Sequence, residues 1–73
     1  MIKVDIELKD VKKDMIVYDS SSGNLELIAV EDACDTGKGI ECHFKSSGRD
    51  KLIKCFHAYN FEHYGPRLYR IEN

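Results

Sequence analysis

Ile40-Glu41-Cys42-His43-Phe44-Lys45, then Ser46-Ser47-Gly48-Arg49-Asp50, then Lys51-Leu52-Ile53-Lys54-Cys55-Phe56-His57 is the stretch that decides the fold. Ile40, Cys42 and Phe44 alternate with Glu41, His43 and Lys45, the period of two of a strand with one dry and one wet face. The Ser/Gly/Arg/Asp run is a turn by composition. A hairpin centred on Gly48-Arg49 sets the register. Phe44 then faces Ile53, Cys42 faces Cys55 and Ile40 faces His57. On the other face His43 meets Lys54 and Glu41 meets Phe56. One face is nearly all apolar and the other mostly polar, which supports the pairing. A helix over residues 50–63 is the alternative, with Asp50 as its cap, Gly65 past its end and Pro66 beyond. Leu52, Phe56, Tyr59 and His63 would share one side of it. Cys, Phe, His, Tyr and Asn are middling to poor helix formers, and Ile, Phe and Tyr favour strands, so a strand is expected.

Working outward, Ile2, Val4, Ile6 and Leu8 alternate with Lys3, Asp5, Glu7 and Lys9 and predict a first strand. Residues 10–14 turn the chain. Met15-Ile16-Val17-Tyr18 reads as a second strand, Asp19-Ser20-Ser21-Ser22-Gly23-Asn24 as a hairpin loop, and residues 25–31 as the returning strand. Residues 32–39 are a polar loop, and Arg67-Leu68-Tyr69-Arg70-Ile71 is a final strand. Five or six short antiparallel strands in a single domain of 73 residues fit a small closed or half-closed barrel, which protects its edges best. The expected class is mainly β, with α+β as the alternative if residues 50–63 are helical.

Leu8-Lys9-Asp10-Val11-Lys12-Lys13-Asp14-Met15-Ile16-Val17-Tyr18, followed by a Gly-containing hairpin and a strand, resembles the opening of SH3-like small barrels of the KOW and Tudor kind. Lys13 stands where glycine is usual in the KOW signature. The resemblance covers about the first half of the chain and implies a binding module without identifying its partner.

The chain carries a net charge of −2, unevenly spread. Residues 1–35 hold four lysines against nine carboxylates, and residues 36–73 hold seven cations against four carboxylates. The three cysteines, an odd number with no signal peptide before them, predict free thiols in a reducing cytoplasm. Charges at every second position exclude a signal core or membrane span in the first residues.

Five of the seven Phe and Tyr residues lie between Phe56 and Tyr69, in the basic half. Tyr59, Phe61, His63, Tyr64, Arg67 and Tyr69 are the expected contacts for a protein partner. Arg49, Lys54, Arg67 and Arg70 would serve phosphates if the rings instead stack on a single-stranded nucleic acid. The same bulk also suits a barrel core, with Phe56 and Tyr69 the first candidates to fill it. An overall acidic chain is unusual for a nucleic-acid binder, so a protein partner is favoured. The acidic strand face of Asp5 and Glu7, with Glu31, Asp32 and Asp35, offers a second surface. In size and style the chain resembles the small accessory proteins that bacteria and their phages make to bind one host protein.

Cys34, Cys42, His43, Cys55, His57 and His63 are zinc-ligand types without zinc-site spacing, so neither metal nor cofactor is expected. Cys42 and His43 point to opposite faces of a strand and cannot act as a nucleophile pair. Gly37-Lys38-Gly39 lacks the frame of a phosphate-binding loop. The reading is a non-catalytic module.

Overall fold

The computed structural model describes residues 1–46, 48–60 and 66–73. These residues form strands β1 (Ile2–Ile6), β2 (Ile16–Asp19), β3 (Leu25–Ala29), β4 (Cys34–Asp35), β5 (Gly39–Ser46), β6 (Leu52–Ala58) and β7 (Leu68–Glu72). Two 3-10 turns, Leu8–Asp10 and Ser20–Ser22, interrupt them, and no α-helix occurs among the described residues. All pairings are antiparallel, in the order β1-β7-β2-β3-β5, with β4 and β6 both on β5. The sheet curls into a half-barrel.

The β5–β6 hairpin has the register read from the sequence: Ile40 opposite His57, Cys42 opposite Cys55, and Phe44 opposite Ile53. The helical alternative for residues 50–63 is thereby excluded across β6, in which Ile53, Cys55 and His57 turn inward at every second position and Leu52, Lys54 and Phe56 stay exposed. Phe44 and Cys42 have no exposed surface, and Cys55 is buried with them. Leu27 and Ala29 from β3, Val17 from β2, Leu68 from β7, and Leu8 and Val11 complete the core.

Three departures from the pattern have physical causes. β1 stops at Ile6 instead of running on through Leu8. Leu8 turns inward on the first 3-10 turn, is 3% exposed, and packs against β5 and β6, so it plugs the barrel end. The loop over residues 32–39 contains β4, joined to β5 by a two-residue turn with Gly37 at φ +85°, the left-handed backbone that such turns require. The Asp19 carboxylate, 8% exposed, accepts from the Ser21 amide and from the Ser21 and Ser22 hydroxyls, which organises the β2–β3 loop.

Glu31 bridges the gap between β3 and β4 along β5. The ladder continues one step past β3, where the Val30 amide donates to the His43 carbonyl. The Glu31 carboxylate then accepts from both the His43 amide, at 3.1 Å, and the His43 ring Nδ1, at 2.9 Å. Those bonds, the ring contact foremost, hold the Glu31 carboxyl below its ordinary value of 4.5. A depressed folded-state pKa adds stability that is present above the unfolded value and lost as pH falls through the folded one. Urea midpoints are therefore expected to fall as pH drops below 4.5, and Glu31→Gln, which keeps an acceptor oxygen but does not titrate, is expected to flatten that dependence. An unchanged slope in the variant would remove Glu31 as its source.

Candidate binding surface

β1 pairs with β7 and β6 with β5, each on one side, and among the described residues no pairing joins β1 to β6 to close the barrel. A cleft of about 870 Å³ fills the gap. Its walls are Asp5, Ile6 and Glu7 on one side and His57, Ala58 and Tyr59 on the other. Consecutive residues of a strand point to opposite faces, so a run of three on a wall means that the strand's backbone edge lines the cleft. Leu8, Ile40 and Leu68 provide apolar surface, and Lys9, Ser20, Pro66 and Arg67 complete the lining.

The hydrogen-bond pattern shows which backbone groups face the gap. The Tyr59 amide donates to the Lys38 carbonyl at 3.1 Å, continuing the β5–β6 register as a hydrogen-bonded pair. Such pairs alternate along an antiparallel ladder, so Phe56 and Ala58 turn their N–H and C=O groups away from β5, toward the open seam.

Tyr59 stands at this edge with half its surface exposed. Its hydroxyl is hydrogen-bonded to the Asp35 carboxylate, which pulls the Asp35 carboxyl below its ordinary range and pushes the Tyr59 phenol above its own. The Gly37 amide also donates to Asp35, at 2.8 Å. Tyr59 is thus held at both backbone and tip. Asp35 could not be linked to Tyr59 from sequence, because only the β4–β5 turn brings them together.

Of the other expected contacts, Arg67 lines the same cleft as Tyr59. Phe61, His63 and Tyr64 lie outside the described residues. Tyr69 is a correction: it is 8% exposed, so its ring belongs to the sheet rather than to an open patch. It stacks on Tyr18 with centroids 5.2 Å apart, lies 4.8 Å from the Lys3 ammonium, and donates its hydroxyl to Asn24 at 3.2 Å. Phe56 departs from expectation in the other direction. It is 41% exposed on the outer face, and its ring lies against Gly39.

The expected phosphate contacts do not converge. Lys54 is ion-paired with Glu41 at 3.5 Å, and Arg70 with Glu72 at 2.5 Å. Arg49 precedes β6 while Arg67 lines the cleft at the strand's far end, about 20 Å away at ~3.3 Å per residue. The acidic loop is also committed internally. Glu31 binds His43, Asp32 accepts from the Lys13 amide at 2.7 Å, and Asp35 binds Tyr59.

Cys55 and His57 share a face of β6, but the Cys55 thiol is pushed up to about 11, first by burial and then by Asp19. Burial likewise pushes the Cys42 thiol up to about 11. Both are protonated at neutral pH and are poor nucleophiles. All three cysteines are free. Among the described residues no cluster of three or more His, Cys, Asp or Glu side chains is arranged to hold a metal ion, and no helix is long and apolar enough to cross a membrane.

No family model matches the chain, and no curated protein sequence or solved structure is detectably similar to it.

Proposed function

We propose that this chain is a non-catalytic binding module, a small accessory or regulatory protein that holds a protein partner at the end of β6. The observation that carries this reading is the pre-ordered, half-exposed Tyr59 beside Arg67 on an open barrel seam. An aromatic and an arginine flanking a partly apolar cleft are the residue types that dominate protein-protein hot spots. The resemblance of residues 8–18 to SH3-like barrels supports a binding role of the same kind. The free thiols fit a reducing compartment such as the cytoplasm.

Single-stranded nucleic acid is the second reading, and the Tyr59 ring beside Arg67 favours it as a stacking platform with one phosphate contact. The pairing of Lys54 and Arg70 with carboxylates weighs against a continuous phosphate track.

One experiment separates them. A library of displayed peptides is panned on the folded protein, and a mixed oligonucleotide pool is titrated against it by amide-resolved NMR at low and moderate salt. Peptide ligands are expected whose affinity falls about tenfold or more in Tyr59→Ala, the loss of roughly 1.4 kcal/mol or more at a hot spot. That variant is expected to stay folded, since the ring is half exposed. Salt-sensitive oligonucleotide shifts around Tyr59 and Arg67, without peptide enrichment, would reverse the order of the two readings.

A further inference from the structure

We propose that the free edge of β1 is a self-association surface, on which a second copy of this chain pairs its own β1 antiparallel about a two-fold axis at Val4. Backbone direction decides which groups of β1 are left unpaired. The Ser20 amide donates to the Arg67 carbonyl at 2.9 Å, extending the β2–β7 register in which Tyr18 faces Tyr69. Tyr69 is therefore hydrogen-bonded toward β2, and Leu68, Arg70 and Glu72 are hydrogen-bonded toward β1. Their β1 partners are Ile6, Val4 and Ile2. Lys3 and Asp5 alternate with these and turn their N–H and C=O groups outward, with no backbone partner among the described residues.

An antiparallel copy centred on Val4 places Lys3 opposite Asp5 of the second copy, and Asp5 opposite its Lys3. Both members of each pair carry outward backbone groups, so both become hydrogen-bonded pairs. Val4 against Val4 falls on the non-bonded position between them, as the alternation demands. The side-chain faces agree as well. Lys3 and Asp5 are both exposed on the outer face, while Val4, Ile2 and Ile6 lie on the opposite face, so like meets like across the new pairing. Ile2, 63% exposed in the single chain, would meet Ile6 of the second copy.

Charge complementarity names the occupant. Lys3 and Asp5 have no ion-pair partner among the described residues, although Lys9, Lys54 and Arg70 each have one. Directly opposed unlike charges stabilise an antiparallel pair, and like charges destabilise it. The segment Ile2-Lys3-Val4-Asp5-Ile6 is its own complement when reversed, with a cation and an anion placed symmetrically about the central valine. A two-fold interface needs that self-complementarity, and a strand from an unrelated protein would match it only by coincidence. The pairing is short, so association follows mass action over a wide concentration range.

The test is sedimentation from micromolar to millimolar protein, with charge reversals at these two exposed positions. The wild type is expected to dimerise reversibly. Lys3→Glu and Asp5→Lys each create two like-charge pairs and are expected to weaken the dimer about tenfold or more. The double variant restores both pairs and is expected to return association to within a few-fold of wild type. An equimolar mixture of the two single variants is expected to associate more tightly than either alone. A second readout needs no variant: the Lys3 and Asp5 amides gain exchange protection with concentration, while those of Ile2, Val4 and Ile6 are protected throughout. A wild type that stays monomeric at millimolar concentration overturns the proposal. So does a dimer indifferent to both reversals, or one in which protection grows on β6 instead.

Discussion

Gly39→Ala is expected to lower the melting temperature by roughly 10–20 °C, the effect of about 2–3 kcal/mol in a domain of this size. Gly39 opens β5 directly opposite Ala58, the last residue of β6. A Cβ there would lie 2.3 Å from the His57 carbonyl oxygen, 2.7 Å from the Ala58 Cα and 2.9 Å from the Phe56 ring. The ring can swing away, but the two backbone atoms cannot move without parting the strands. The start of the hairpin that buries Cys42, Phe44 and Cys55 would open, and with it the Tyr59 amide bond to Lys38. Gly37→Ala is the instructive comparison. Nothing lies near its Cβ position, and its cost is the left-handed φ of +85° alone, about 1–2 kcal/mol. Phe56→Ala in the Gly39→Ala background is expected to recover little, because the backbone contacts remain. Thermal and urea unfolding of the variants checks this ordering. A Gly39→Ala protein melting within roughly 4 °C of wild type would mean that the strands separate at little cost.

Phe44→Ala is expected to have the largest effect of any single substitution in the core. Phe44 is the largest fully buried side chain, opposite Ile53 on one neighbour and Ala29 on the other. Truncating a buried phenylalanine costs about 3–5 kcal/mol, through lost transfer energy and the cavity left behind. A chain of 73 residues at ~0.05–0.15 kcal/mol per residue has only about 4–11 kcal/mol to lose. Phe44→Ala should therefore be substantially unfolded at 37 °C, with collapsed amide dispersion in its NMR spectrum. Phe44→Leu keeps most of the volume and is expected to retain the native spectrum with a lower urea midpoint. A loss below about 2 kcal/mol in Phe44→Ala would show that neighbouring side chains close over the site.

Both predictions bear on the proposed binding surface. Gly39 and Phe44 build the β5–β6 hairpin, and that hairpin carries Tyr59 to the seam. The order of tests follows: a loss of binding in Tyr59→Ala is informative only because that side chain stands outside the core.

The sequence alone determined the strands and much of their pairing. Alternation with period two is a local property, and burying one face leaves a single register that keeps Cys42, Phe44, Ile53 and Cys55 dry. The hairpin centre at Gly48-Arg49 followed from the same constraint. Free thiols and a mainly β fold were legible for similarly local reasons.

Only the tertiary structure decided which rings are buried. Tyr69 and Phe56 are both aromatics in strands with mixed patterns. Tyr69 falls between β1 and β2, where Tyr18 and Lys3 cover it, whereas Phe56 falls on β6, which among the described residues has a strand neighbour on one side only. Position in the sheet order is set by long-range pairing and leaves no mark within a strand's own residues. The open seam has the same origin. It exists because, among the described residues, β1 and β6 each have a strand partner on one side only, and no local pattern states where a sheet ends. The bond from Tyr59 to Asp35 depends on the β4–β5 turn, and the outward direction of the Lys3 and Asp5 amides depends on the parity of the β7 ladder. The sequence listed the side chains that can make contacts, and the closure of the sheet selected the ones that face solvent.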